Sequence, residues 1–305
     1  MTDWTFSLQR LLNTPLCCTE AHAAMIVAAV HGRFGIAGLE AEGMEYDALD
    51  MQALAATGRE TAHDRLRRRD TIYHQNGSVA VIPVRGTLTK RTEAMDPSSG
   101  MTGYNRIAQK YSAALDDPEM KAIWLDVDSG GGEASGMLDL MDLIWSTNAK
   151  NGGPKPVYAM ANDHAYSAAY GILSAADRSF VPRTGGAGSI GTLALIPNRS
   201  KKNEKDGVTV KVMRSGSQKA RVNMIEPMDE ETEAKVQAEL DHMRDLFATS
   251  VARNIRGKGQ SLEAVKKKVL ETEGASYMGG QARAIGLVSE VASEQQAWAE
   301  LLRMI

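Results

Sequence analysis

Two adjacent cysteines, Cys17 and Cys18, are all the cysteine this 305-residue chain has. Neighbouring cysteines bridge only with strain and no third exists, so a disulfide framework is excluded, and the usage suits a reducing compartment. No run of about 18 apolar residues occurs, which argues against a membrane-spanning helix. The opening MTDWTFSLQRLLNTPLCC carries an acid at Asp3 and no clean apolar stretch before Pro15, unlike a secretory signal. Neither sign of charge dominates: 35 Lys+Arg face 38 Asp+Glu, a net −3. That balance argues against attraction of the whole protein to nucleic acid or an anionic membrane. Aromatics are scarce at 5%, while glycine (28) and methionine (16) are plentiful. With 43% hydrophobic residues and so small a net charge, the chain is not disordered. A soluble, cytoplasmic globular protein of one large domain with an appendage, or of two domains, is expected.

Residues 1–75 read as a helical N-terminal segment, with Thr19 placed to cap EAHAAMIVAAVHGRF. Within it, Arg65, Arg67, Arg68 and Arg69 suggest either a nucleic-acid or scaffold contact or a solvated helix face. The dilution by Glu60, Asp64 and Asp70 favours the face. From residue 77 the texture changes. GSVAVIPVRGTL reads as a strand with Pro83 at an edge or bulge, and AIWLDVDS, PVYAMAND, RSFVP and GTLALIP as further strands. Helical stretches alternate with them (YNRIAQKYSAAL, EASGMLDLMDLIWSTNA, SAAYGILSAAD), the pattern of an α/β domain. Segment 229–256 repeats Val236, Leu240, Met243, Phe247, Val251 and Ile255 on one helical face.

Some apparent signals fail on context. GAGSIG (186–191) has the G-x-G-x-x-G spacing, with Asp206 about 20 residues on. The third glycine, however, leads into β-like TLALIP rather than into the helix that should hold a pyrophosphate. The six histidines show no H-E-x-x-H pattern, and no metal or cofactor is expected. Asp126 and Asp128 share one face of a strand; they could hold Mg²⁺, but capping of the following turn is the better reading.

Two strand-to-helix junctions carry chemistry. In Asp128-Ser129-Gly130-Gly131-Gly132, consecutive glycines let backbone N–H groups converge on an anion, as an oxyanion hole requires; alone, the stretch reads equally well as a flexible turn. In Asp163-His164-Ala165-Tyr166-Ser167-Ala168-Ala169-Tyr170, a serine stands at a helix N-terminus, as a nucleophile or merely as a cap. His164 is a tempting base, but three residues upstream in a tight turn is too constrained for it. Lys219, in Arg-Ser-Gly-Ser-Gln-Lys-Ala after the strand-like VTVKVM, is the alternative. A lysine base must be largely neutral near pH 7, a depression worth about 4 kcal/mol that burial can supply. Judged alone, Lys219 reads as a surface lysine.

The ordered set of Gly-rich turn, strand-end serine, G-S-I-G and S-G-x-x-K resembles the signal peptide peptidase A family of Ser–Lys peptidases, in its phage head maturation protease branch, over roughly residues 77–290. The resemblance implies Ser167 as nucleophile, Lys219 as general base, Gly131 with Gly132 beside it at the oxyanion hole, and Ser189 holding the lysine amine. Tyr277-Met278-Gly279-Gly280 and Gly286-Leu287-Val288 match an element with an expected structural role. The family's Ser-Pro-Gly-Gly turn has Gly130 here in place of proline, which loosens it. The resemblance further implies a ClpP/crotonase-like α/β spiral fold with a helical N-terminal appendage, and a peptidase domain over 76–292 followed by a tail over 293–305. A ring-like homo-oligomer is implied, whose dyad meets across a subunit interface. Scaffold, portal or the chain itself would be cleaved in a procapsid within the host cytoplasm. No fused scaffold extension, nucleic-acid partner or membrane is expected. The rival readings are a bacterial signal-peptide-remnant peptidase, an inactive capsid component and a crotonase-type acyl-CoA enzyme.

Overall fold

A computed structural model describes residues 15–19, 39–41, 44–46, 72–93 and 100–305. Its strands, in chain order, are β1 (Pro15–Cys18), β2 (Leu39–Ala41), β3 (Met44–Tyr46), β4 (His74–Asn76), β5 (Val79–Thr89), β6 (Met101–Gly103), β7 (Ala122–Glu133), β8 (Val157–Tyr166), β9 (Arg178–Val181), β10 (Gly186–Gly188), β11 (Leu193–Ala194), β12 (Ser276–Met278) and β13 (Glu290–Val291). The α-helices are α1 (Tyr104–Asp116), α2 (Met137–Thr147), α3 (Ala168–Ser174), α4 (Ser200–Lys205), α5 (Glu230–Ile255), α6 (Leu262–Leu270), α7 (Gly279–Ala284) and α8 (Glu294–Met304).

The centre is a parallel run in which β7 lies between β5 and β8, while β8 is flanked first by β9 and then by β10. Parallel strands covered on both faces read as near-continuous apolar runs, and β7 and β8 do. Ile123, Leu125 and Val127, with Val157, Ala159 and Ala161, face a large core that also takes residues of α1, α2, α3 and α5. The alternate residues Ala122, Trp124, Tyr158 and Met160 face a smaller cluster closed by Ala297 and Leu301 of α8. There the Trp124 and Trp298 rings meet edge-on at 4.9 Å.

Helix starts follow local chemistry. The Asp229 carboxylate accepts from Thr232 N–H at 2.9 Å, with three acids in the first turn of α5. Ser293 and Gln296 form a reciprocal capping box on α8. Pro83 lies in β5 between the part paired with β4 (Val79–Val81) and the part paired with β6 (Thr87–Thr89), beside an irregularity between Arg85 and Thr87. β5 is thus not an edge strand as expected: it is paired on both sides, and Pro83 sits in the gap between two partners on one of them.

Several expectations are corrected. Where it is described, the 1–75 stretch contributes strands: β1 sits inside the main sheet, β2 pairs β3, and β4 pairs β5. The proposed helix after Thr19 and the arginine cluster lie outside the described residues. The glycine turn at 129–132 is not a turn, because β7 continues through it to Glu133. Consequently Asp126 and Asp128 do not cap it: Asp126 pairs with Arg85 and accepts from Asn162, and Asp128 faces His164 at 3.5 Å. VTVKVM forms no strand; Val208, Val210 and Met213 are exposed. The α5 stripe is packed only in its second half, where Phe247 and Val251 are buried, while Val236, Leu240 and Met243 remain half-exposed.

Candidate active site

Ser167 stands where β8 gives way to α3, with φ 54° and ψ −121°. That backbone is rare for a residue with a Cβ and costs of order 1–3 kcal/mol. Backbone bonds hold it: Ser167 N–H donates to Gly188 O at 2.7 Å, and Ser167 O accepts from Gly171 N–H at 3.0 Å. The side chain does not cap α3. Its Oγ is buried with no hydrogen-bond partner among the described residues, and Ser167 is 0% exposed. A merely structural serine would be expected to satisfy its hydroxyl.

The Cys17 thiol faces that hydroxyl. Burial, then the neighbouring Cys18, push the Cys17 pKa well above its usual range, and the contact with Ser167 opposes the rise. Burial also pushes Cys18 up to about 12. Both thiols are free and buried.

The glycine stretch sits against the serine. Gly131 has φ +102°, and a Cβ on it would lie 2.1 Å from Cys17 O and 3.1 Å from Ala168 N. Its own N–H donates to Ser129 Oγ at 3.0 Å, and the Ser129 hydroxyl donates to Gly86 O at 2.6 Å. Gly131 therefore lies against the Ser167–Ala168 junction, with its N–H engaged by Ser129. Gly132 is fixed between strands, where a Cβ would meet Leu88 O at 1.8 Å. Ala168, which sequence reasoning missed, is the first residue of α3, where a backbone N–H has no intrahelical acceptor. Its signal in the sequence is only its place directly after Ser167.

Ser189 is half-buried with φ 56°, next to the Gly188 carbonyl that holds Ser167. It lines a cavity of about 720 Å³ shared with Cys18, Thr19, Tyr166, Leu240 and Arg244. Lys219 is not brought to Ser167. It is exposed on a loop knitted by its own contacts, where Arg214 pairs with Glu226 and Arg214 Nε donates to Lys219 O at 2.9 Å. His164 turns elsewhere, stacking on Tyr166 at 5.1 Å and lying 3.5 Å from Asp128 and from Asp163. These three side chains could offer ligand atoms to a cation, but an exposed acidic group of this kind is common without one. The G-x-G-x-x-G stretch forms β10 and an irregular turn, with no helix to receive a pyrophosphate.

A parallel α/β sheet that ends one strand in a strained, buried serine, with a second strand's glycines against it, defines the class: an α/β protein with its candidate site at a strand–helix junction. The profile of peptidase family S49 matches residues 149–303, and the chain belongs to that family. It is 35% identical over 285 residues to "Capsid assembly protease C" of Escherichia phage lambda, covering 93% of this chain and 62% of that one. It is 33% identical over 287 residues to "Head-tail preconnector protein GP5" of Enterobacteria phage P21, covering 93% and 54%. "Protease 4" of Haemophilus influenzae is 28% identical over 230 residues, covering 75% and 35%. The chain thus spans little more than half the length of the two phage relatives. Among solved structures, a ClpP1 mutant from Listeria monocytogenes matches with a TM-score of 0.41 and 14% identity, over 71% of this chain and 93% of that one. No helix among the described residues is long and apolar enough to cross a membrane.

Proposed function

We propose that the chain is a serine endopeptidase that cleaves peptide bonds with Ser167 as nucleophile and Lys219 as general base, on a ClpP/crotonase-like α/β spiral. The observation that carries this is the Ser167 hydroxyl, buried and unpartnered on a strained junction, in a family of peptidases. Neutral Lys219 takes the Ser167 proton as Oγ attacks the scissile carbonyl carbon. The Ala168 N–H holds the oxyanion, joined by the Gly131–Gly132 stretch once the Gly131 N–H is released from Ser129. The C–N bond then breaks, the lysine returns the proton to the leaving amine, and water hydrolyses the acyl-enzyme.

An exposed lysine is charged and useless as a base, so Lys219 must be moved into a drier place. The cavity beside Ser189 offers one, and the Ser189 hydroxyl would hold the amine there. The lysine loop carries exposed Val208, Val210 and Met213, and the half-exposed Val236, Leu240 and Met243 lie on α5. Such apolar surface supports a homo-oligomer in which this loop docks on a neighbouring copy, so that the dyad is completed across the interface. The two phage relatives support a capsid-assembly context, with scaffold, portal or the chain itself as substrates inside a procapsid.

The test is cleavage of a co-expressed scaffold protein by wild type, Ser167→Ala, Lys219→Ala and His164→Ala. The first two substitutions abolish cleavage and the third leaves it. Cleavage by Ser167→Ala sinks the assignment, and loss only in His164→Ala moves the base to His164.

A further inference from the structure

Strand β1 occupies an unusual place for four residues so far in sequence from their partners. β8 runs beside β7 only as far as the pairing of Ser129 with Ala165, then turns off at Ser167 into α3. Past that point the edge of β7 is taken by β1, antiparallel, with Leu16 opposite Glu133, Cys17 opposite Gly132 and Cys18 opposite Gly131. Thr19 N–H continues the ladder to Gly130 O at 3.0 Å. The other edge of β1 pairs with β11, Pro15 opposite Ala194 and Leu16 opposite Leu193. The segment therefore fills a slot bounded on both sides by backbone, the way an extended peptide is added to a sheet. Cys17 projects to the Ser167 hydroxyl, and its carbonyl oxygen lies over Gly131. Leu16 is 0% exposed and lies outside both apolar clusters, whereas Cys17 belongs to the main one. Backbone pairing on both edges holds β1, and the side chain it places in the main cluster is a small one, so its departure would open only a small gap there.

We propose that residues 15–19 are a ligand of this slot in cis: an uncharged extended segment, with a branched aliphatic residue at Leu16 and a small one at Cys17 facing Ser167, that must leave before another peptide reaches the hydroxyl. The catalytic consequence rests on Ser167 being the nucleophile; the docking does not. The slot accordingly selects external peptides of the same kind, extended and uncharged, with a small side chain at the position facing Ser167.

Because Cys17 and Cys18 are the chain's only cysteines, alkylation reports docking directly. In the full chain carrying Ser167→Ala, which has no hydrolytic step, iodoacetamide should label both thiols on the order of 100-fold more slowly than it labels a free peptide of residues 13–20. Leu16→Asp, or Leu16→Ser should the aspartate variant fail to fold, should bring labelling towards the peptide rate. In an otherwise wild-type chain the same change should speed reaction of Ser167 with a fluorophosphonate about tenfold. That gain should be reversed by adding the 13–20 peptide with both cysteines replaced by serine. Rapid labelling of the folded, unsubstituted thiols overturns the proposal, as does a thiol-releasing variant whose Ser167 reacts no faster. Protected thiols with no fluorophosphonate reaction in any variant support the docking and refute the nucleophile assignment.

Discussion

Replacing Ser167 with alanine should make the protein more stable while destroying its activity. A buried hydroxyl without a partner costs about 1–3 kcal/mol relative to a satisfied or absent one, and Ser167 Oγ is in that position. Alanine removes the oxygen and keeps the Cβ, so the strain of φ 54° and ψ −121° stays. The expected gain is therefore about 1–2 kcal/mol. Glycine removes the strain as well, worth a further 1–3 kcal/mol, less about 0.5–1 kcal/mol for its greater freedom when unfolded. The predicted order of stability is wild type, then Ser167→Ala, then Ser167→Gly. Urea midpoints at one fixed protein concentration measure it, since oligomerisation would otherwise shift them. The Cys17 thiol faces the same hydroxyl, so a double-mutant cycle with Cys17→Ala separates that contact from the desolvation of the oxygen. A Ser167→Ala protein less stable than wild type by more than about 0.5 kcal/mol would refute the reasoning, because it would mean the hydroxyl is satisfied in the folded state.

Lys219→Ala should abolish cleavage yet leave stability within about 0.5 kcal/mol, because the side chain is exposed. Mixing Ser167→Ala and Lys219→Ala protomers should regain part of the activity if the dyad forms between copies. Asp128 has its pKa raised, chiefly by burial. Its folded value thus exceeds its unfolded one, so the ionised group opposes folding above the folded pKa, and this opposition fades as the pH falls through that value. Asp128→Asn should accordingly raise the urea midpoint at neutral pH, with the gain shrinking in acid. Leu301→Ala, in the small cluster under the sheet, should cost about 2–5 kcal/mol and leave the rate of fluorophosphonate labelling unchanged at temperatures where the fold is intact.

Much of the fold was legible because β7 and β8 are long apolar runs and their helices follow at once. Ser167 was legible as a strand-end residue followed by small ones. What local pattern could not reveal is pairing. Pro15–Cys18 is too short to show alternation, and both its partners lie far along the chain, so it reads as part of a helical segment until the sheet places it. The opposite error occurs at VTVKVM: its period-two alternation is a strand pattern, but no described strand pairs with it, and Val208 and Val210 stay exposed. Lys219 was visible as an alternative base but, judged alone, read as a surface lysine; the resemblance alone assigned it the role. Its side chain is exposed in the single chain, and no pattern of residues around it encodes a partner.

The glycines of β7 are hard to read from sequence, and they bring β1, β5 and the Ser167 junction together. Gly131 is needed because its φ is +102° and because Cys17 O comes within 2.1 Å of where a Cβ would be; Gly132 is needed because Leu88 O comes within 1.8 Å on the other side. Local reading assigns such a pair to a turn, whereas here it lets three backbones converge on one strand. Gly131→Ala should therefore release β1 and speed alkylation of Cys17, whereas Gly132→Ala should chiefly force β5 from β7 and lower global stability. Gly130, where the resemblance leads one to expect proline, contributes its carbonyl to Thr19 N–H at 3.0 Å, an acceptor proline would also supply. Its lack of a ring thus costs the slot no hydrogen bond to β1. The consequence falls on stiffness, since φ is no longer fixed at this position. Gly130→Pro should then tighten the stretch without evicting residues 15–19, leaving thiol protection intact; faster alkylation of Cys17 in that variant would show that the slot depends on a flexible residue 130.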